Sequence, residues 1–576
     1  MFCSLYTLLN RQGMIFLQDI LAFLQPFLSI FLYLLRVLTP ALSIWIVVRC
    51  FISLRRGRRS EDPVVMLEEV SSHAKIPVLY WENSIGRSRS CDIVLPDPNV
   101  SRDHAVLMRR ESGWIITDTG SKSGTYVNHR KVTEPRILKP GDVISMGATS
   151  LALKRADHAA ARAKKQGIAR KIPRPSLLLL LTTLVQFLLA VQICFAGEAF
   201  SLTGLLPFGM LVILEWTAFA VSSKAFHRVS FEVETIGFLL SGIGLSLLYA
   251  VTPEDAIVQA AAMTAGVILY FVLISFMNDP DRVMKWRPFI EIGAVALFAV
   301  NLLFGVASHG AQNWISLGPI TVQPSEFIKI AFIFAGASTL DKLQTKKNLT
   351  EFLIFSGICI GSLILMRDFG TACIFFVTFL IIAFMRSGSI RTIFLVCAAA
   401  VFGLIIILRF RPYIMERFSA WGHVWEYADT SGYQQTRTLT YAASGGLFGV
   451  GLGDGYLKNV FAATSDLVFG VLCEEFGLVL ALLVVTAIML LIFYARSDVT
   501  RSRSTFYSIS ACAAAGMLLF QTCLNIFGPT DILPLTGVTL PFISAGGSSM
   551  LAVWGLLAFL KASDERTYAV SKAHLR

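Results

Sequence analysis

Charge is scarce in this chain: only 15% of its 576 residues are Asp, Glu, Lys or Arg, against 55% hydrophobic residues. A soluble globular domain carries roughly a quarter charged residues, so an ordinary soluble protein is excluded. Paired cysteines are lacking as well. The ten cysteines run from Cys3 to Cys523 with no Cys-x-x-Cys spacing, and most sit inside apolar runs. That excludes a zinc site or a disulfide framework and leaves them as small packed apolar residues. A cleavable secretory signal is not expected either. The apolar run from Met14 to Ile52 is too long and ends in Arg55, Arg56, Arg58 and Arg59, a stop-transfer pattern, and the run from Pro175 to Ala196 is internal. The formal charge of +12 reads as cytoplasmic basic loops and not as a nucleic-acid surface.

What the chain does have is apolar length. From residue 175 onward roughly twelve apolar blocks follow one another, many long enough to cross a bilayer as a helix. The loops between them alternate in sign. Lys224 and Arg228, Arg282, Lys285 and Arg287, Lys342, Lys346 and Lys347, Arg386 and Arg391, and Arg496, Arg501 and Arg503 fall on one side, Glu254 and Asp255 on the other. The first side is the cytoplasmic one. Residues 1–60 are a membrane anchor, one long helix or two interrupted at Pro40. Residues 61–155 are soluble in character, with short alternating runs broken by turn residues, which predicts a β-sandwich. Residues 156–174, with Lys164, Lys165, Arg170 and Lys171, form a basic linker along an anionic membrane face. Residues 175–230 are extra transmembrane helices, and 231–576 are the core, with a large outer loop at 411–466. Loops of that length in compact proteins are commonly functional. The fold expected is a polytopic α-helical membrane bundle, about ten core spans plus extra N-terminal helices, with an all-β sandwich inserted.

Within 61–155 the motifs run in order: Gly86-Arg87, Ser101-Arg102-Asp103-His104, Gly120 to Asn128 and Pro140-Gly141-Asp142. This order resembles the forkhead-associated (FHA) domain. The resemblance implies loops at one end of the sandwich that bind a phosphothreonine protein. Arg87 and Ser101 would hold the phosphate, with Arg102 in support, since a guanidinium fork and a hydroxyl suit that anion. His104, Gly124, Thr125 and Asn128 would shape the loops. Ser123 stands where the family has the Asn that grips the peptide main chain, so a sandwich used only for docking is the alternative.

From about 230 to 562 the landmarks are Gly310 to Pro319, Gln323 to Lys329, Asp368 to Ala372, Ser444 to Gly453, Asp466 to Gly477 and Leu533 to Ser548. Together they resemble the SEDS (RodA/FtsW/SpoVE) family. The resemblance implies a bacterial cytoplasmic (inner) membrane, multi-pass protein with the FHA module inside. It implies polymerisation of lipid II, an undecaprenyl-pyrophosphate-linked disaccharide-peptide, at the outer face, beside a class B penicillin-binding transpeptidase. The family pattern is altered at several positions: Phe461 to Ser465 before the acid, Arg437 for a Gln, Met366-Arg367 before Asp368, and Ala545 for a Tyr.

The chemistry needs a base for the acceptor sugar hydroxyl and positive charge for the pyrophosphate. Asp466, where the long outer loop meets a helix, suits the first task and matches the family's catalytic aspartate; capping that helix is its alternative role. Glu326 and Lys329, three apart on one helix face, line the substrate cavity or neutralise each other. Asp368, Arg437 and Glu475 complete the substrate-binding set, with Asp368 alternatively marking the membrane interface and Glu475 alternatively a structural hydrogen-bonding group. No metal site is read; whether a divalent cation assists the pyrophosphate is left open. Two other functions compete: a lipid II flippase or transporter, and a catalytically weak division scaffold.

Overall fold

The computed structural model describes residues 2–56, 65–78, 80–89, 91–110, 113–155, 174–196, 201–226, 228, 230–308, 311–318, 320–338, 346–387, 390–391, 393–398, 401, 420–499 and 504–563. The basic linker, most of the apolar block near 400 and the start of the long loop lie outside these. The chain opens with one continuous helix, α1 (Phe2–Arg56), so of the two expected anchors the single helix is the one found. Its Phe27–Leu54 stretch is long and apolar enough to span a membrane. Around Pro40 the hydroxyls turn back onto the helix: Thr39 Oγ1 donates to Leu35 O at 2.8 Å and Ser43 Oγ to Thr39 O at 2.8 Å. Those bonds satisfy the polar groups that an apolar helix cannot otherwise hydrate.

The soluble region is a two-sheet β-sandwich. Its strands are β1 (Val65–Glu69), β2 (Lys75–Val78), β3 (Glu82–Gly86), β4 (Ile93–Val94), β5 (Ala105–Arg110), β6 (Gly113–Asp118), β7 (Thr125–Val127), β8 (Arg130–Lys131), β9 (Arg136–Leu138), β10 (Val143–Met146) and β11 (Thr149–Arg155). One sheet runs β2-β1-β11-β10-β7-β8, the other β4-β3-β5-β6-β9. Period-two alternation puts Leu67, Ile85, Leu107, Ile116, Ile144 and Leu151 between the sheets, all fully buried.

The membrane region comprises α2 (Pro175–Cys194), α3 (Leu205–Ala220), α4 (Glu232–Val251), α5 (Pro253–Met277), α6 (Pro280–Phe304), α7 (Pro324–Ser338), α8 (Lys346–Leu365), α9 (Phe369–Ser387), α10 (Tyr433–Ser444), α11 (Val468–Phe476), α12 (Leu478–Val499), α13 (Thr505–Phe527) and α14 (Gly547–Ala562). A small sheet, β12 (Val306–Ser308), β13 (Ala311–Leu317) and β14 (Ile320–Val322), joins α6 to α7. Among the described residues, eight helices are long and apolar enough to cross a membrane, and three more are apolar but shorter. Outward-facing Ile213, Leu303, Phe304 and Leu365 stay more than half exposed, as a lipid-facing surface requires. One buried charge pair lies in the core: Lys561 Nζ is 3.0 Å from Glu234 Oε2, and the other oxygen of Glu234 accepts from Tyr270 Oη at 2.6 Å.

Among the described residues, Trp81 and Glu82 tie the sandwich to the helices. Trp81, 6% exposed, joins the membrane-helix core and meets the Tyr507 ring edge-on at 6.0 Å. Ser504, the N-cap of α13, donates to Glu82 Oε1 at 3.2 Å. The other end of α13 carries Asn525, which bonds the Asp466 carbonyl at 3.1 Å. Twenty-one helical steps separate Ser504 from Asn525, about 32 Å at 1.5 Å per step, which is about the thickness of a hydrocarbon core. The sandwich and Asp466 therefore sit at opposite ends of one spanning helix.

Candidate active site

Asp466 follows a tight elbow. Ala462 adopts the left-handed conformation (φ 61°), and its carbonyl accepts N–H bonds from Ser465 (3.3 Å), Asp466 (2.9 Å) and Leu467 (3.1 Å). A non-glycine residue in that region costs on the order of 1–3 kcal/mol and clusters at functional sites. The N-cap position of α11 is Leu467, one residue beyond. Asp466 itself is half-buried, and its Oδ2 lies 3.2 Å from the point where a Cβ on Gly537 would stand. Gly537 is exposed and has φ 69°, so the carboxylate is covered on that side by bare backbone at the surface.

The 536–538 segment connects Asp466 to the other acids. A Cβ on Gly370 would stand 2.6 Å from Val538 Cγ2 and 3.0 Å from Thr536 O, which sets the start of α9 directly against the segment. Asp368 precedes that helix and caps it: Thr371 N donates to Oδ1 at 3.1 Å. Its Oδ2 accepts from Asn313 Nδ2 (3.0 Å) and Gln323 Nε2 (3.2 Å), so this carboxylate also fastens the small sheet to the bundle. Arg367 beside it has φ 62°. On α7, Lys329 Nζ lies 2.7 Å from Glu326 Oε1 and 3.1 Å from Gln521 Oε1 of α13. Gln521 Nε2 in turn donates to Thr539 O and Oγ1, both at 3.0 Å. The buried ion pair thus joins the 536–539 segment through one glutamine.

Glu475 and Glu474 belong to a different arrangement. Glu475 Oε2 accepts from Gly453 N at 3.0 Å, and Glu474 accepts from Tyr456 N (2.7 Å) and Leu457 N (2.9 Å). Both acids are buried and hold the glycine-rich loop by its backbone. Arg437, half-buried on α10, lies over the Tyr433 ring at 5.2 Å. Its helix is anchored beside the elbow, where Gln434 Nε2 donates to Phe461 O at 3.0 Å.

At the sandwich end, backbone and hydroxyl hydrogen bonds fix the loops that carry the four expected phosphate-site residues. Arg87 N donates to Ser101 O (2.9 Å) and Ser88 N to Arg102 O (3.0 Å). Lys122 N donates to Ser101 Oγ (3.0 Å) and Ser123 Oγ to Asn99 O (2.8 Å). A Cβ at Gly86 would stand 2.2 Å from Arg102 O, so only glycine permits this approach. Arg87, Arg102 and Ser123 are exposed. Beneath them the fully buried His104 accepts from Ser101 N at 3.0 Å and contacts Gly124 O at 3.3 Å. Asp118 holds the next loop: partial burial pushes its carboxyl up, but hydrogen bonds from Ser121 and Thr125 outweigh this and keep it below its ordinary value.

The model of the FtsW/RodA/SpoVE cell cycle protein family matches residues 236–568, more than half of the chain. The chain belongs to the FtsW/RodA/SpoVE family. The FHA domain model matches residues 83–147. A probable peptidoglycan glycosyltransferase FtsW from Dichelobacter nodosus is 32% identical over 380 residues, covering 61% of this chain and 95% of the relative. One from Buchnera aphidicola subsp. Acyrthosiphon pisum is 31% identical over 316 residues, covering 52% and 79%. The peptidoglycan glycosyltransferase RodA of Mycobacterium tuberculosis strain H37Rv is 26% identical over 351 residues, covering 56% and 75%. Among solved structures, a chain from a peptidoglycan synthase complex that coordinates polymerization and crosslinking superposes with a TM-score of 0.50 at 24% identity, covering 58% of this chain and 98% of that one. It shares the fold.

In this FtsW/RodA/SpoVE core, reading the sequence missed Gln521 and Asn525, which join Asp466, Lys329 and the 536–539 segment. Their signal was present: two amides four residues apart, hence on one face, within an apolar spanning helix. It also missed Ser544, whose hydroxyl donates to Ser465 O at 2.6 Å.

Proposed function

We propose that this FtsW/RodA/SpoVE member is a peptidoglycan glycosyltransferase that polymerises lipid II at the outer face of the cytoplasmic membrane, regulated by a cytoplasmic FHA module that reads phosphothreonine. Family membership and the names of the FtsW and RodA relatives support the activity. The observation that carries the site is Asp466: a half-buried carboxylate beside the exposed Gly537, at the opposite end of α13 from the sandwich. In the reaction the acceptor hydroxyl attacks the anomeric carbon of the donor, the bond to pyrophosphate breaks, and the hydroxyl proton passes to Asp466. Arg437 meets the negative charge of the departing pyrophosphate, while Glu326, Lys329 and Asp368 shape the substrate side of the bundle. Glu475 acts on substrate through the loop it holds. A class B transpeptidase is the partner that crosslinks the product. In the FHA module Arg87 and Ser101 take the phosphate, with Arg102 and Ser123 flanking it. Lipid II polymerisation by the full-length protein with its transpeptidase tests this. Asp466→Asn should abolish glycan product while leaving the unfolding temperature unchanged, and undiminished product removes Asp466 from the mechanism. Lipid II moved across vesicles without polymer would favour a transporter. Function lost in Arg87→Ala but kept in Asp466→Asn would favour a scaffold.

A further inference from the structure

Asn525 lies in the last turn of α13 and is 2% exposed. Its Nδ2 donates to Val538 O at 2.7 Å, Asp466 O at 3.1 Å and Ser465 O at 3.4 Å. Two amide protons thus serve three carbonyls from two segments of chain. The orientation is forced, because exchanging the amide nitrogen and oxygen would set Oδ1 against all three. Oδ1 is buried with no hydrogen-bond partner among the described residues. An orphaned buried acceptor costs about 1–3 kcal/mol. An apolar side chain would avoid that cost but would take the donor from the carbonyls of Asp466 and Val538, so the amide's role at this position lies in the carbonyls it joins.

We infer that Asn525 is a positioning residue for Asp466: it clamps the Asp466 backbone to Val538 and so fixes the carboxylate against Gly537. The inference rests on the reading of Asp466 as the base. Gly537 directly precedes Val538, and the site of its absent Cβ is 3.2 Å from Asp466 Oδ2. The separation between carboxylate and loop is therefore set by the carbonyls that Asn525 holds. A second pair of bonds braces the same elbow from α14's approach: Ser544 Oγ to Ser465 O at 2.6 Å and Ala545 N to Thr464 O at 2.8 Å. Asn525 meets the base only through main chain. Its helix is packed against α9 and α12, which gives the clamp a rigid mount. Holding a reacting group in place contributes to the rate of the bound complex more than to binding, and displacement by an ångström costs on the order of 10²-fold.

The test uses the full chain with lipid II. Asn525→Asp turns an oxygen toward the carbonyls and should lower kcat by about 10²-fold with KM for lipid II little changed. Asn525→Ser keeps one shorter donor and should lose about 10-fold, again in kcat, with the acidic limb of the kcat/KM profile displaced as the carboxylate environment changes. A merely structural residue would lower the amount of folded enzyme without moving that limb. A folded Asn525→Ser with wild-type kcat and an unmoved limb overturns the inference, as does a loss confined to KM; if Asn525→Asp does not fold, the Ser variant decides alone. Asp466→Asn is assayed alongside. If it still polymerises, the base reading falls and this inference with it. If it is dead while Asn525→Ser is unimpaired, only the positioning role falls.

Discussion

Lys329→Met isolates the contribution of the buried pair on α7. In the folded protein Lys329 is 1% exposed and Glu326 4% exposed, and Nζ bridges Glu326 Oε1 and Gln521 Oε1. Glu326 Oε2 has no hydrogen-bond partner among the described residues, so Lys329 carries the compensation of that carboxylate. Removing one partner of such a pair leaves a buried charge and costs about 3–5 kcal/mol. Glu326→Gln with Lys329→Met removes both charges at similar volume. The amide introduced at position 326 brings a donor in place of Lys329, so what then remains is one buried amide oxygen, at position 326 or on Gln521, without a donor, about 1–3 kcal/mol. The double variant should accordingly be more stable than Lys329→Met by roughly 2 kcal/mol, although it carries the extra substitution. Unfolding of the purified protein followed by tryptophan fluorescence measures this, and lipid II polymerisation on the same samples separates the roles. Stability recovered without activity means the pair faces substrate; both recovered means the pair is an internal brace. Lys329→Met unfolding at the wild-type midpoint would refute the electrostatic reasoning altogether.

Arg87→Ala in the FHA module removes a charge-assisted contact to phosphate, so a phosphothreonine peptide should bind at least about 10-fold more weakly, read by fluorescence anisotropy against the unphosphorylated peptide. Equal binding by wild type and variant would end the phosphate assignment. Gly537→Ala places a methyl 3.2 Å from Asp466 Oδ2 at a backbone φ of 69°. It should cost on the order of 1 kcal/mol or more in stability and reduce polymerisation further than that loss of folded protein explains. Full activity in the folded variant would show that the carboxylate does not depend on this contact.

The spanning helices were legible because lipid demands long uninterrupted apolar runs, and the sandwich because its turn residues come in a fixed order. Pro40 misled little, since hydroxyls of Thr39 and Ser43 bond along a helix that continues past it. Glu326 and Lys329 were legible for a similar reason: both partners are charged side chains within one turn. Asp368 was read as a substrate-binding residue or, alternatively, a marker of the membrane interface; its capping of α9 and its hold on Asn313 and Gln323 were not read, because those roles need partners up to 55 positions away. The contact of Glu82 with Ser504 spans 422 positions, and no local pattern announces it.

The acceptors around Asn525 show why the rest stayed hidden. Its three partners are main-chain carbonyls at 465, 466 and 538, and every residue type owns a carbonyl. A sequence advertises donors and acids by side chain, but it is silent about which backbone oxygen the fold will bring to them. The informative sign was therefore one-sided: Gln521 and Asn525 on a single face of an apolar helix, where unpaired amides are too costly to be left without acceptors. Such a face predicts that irregular backbone lies against it, and in this protein that backbone is the 464–466 elbow and the 536–539 segment that frame the candidate base.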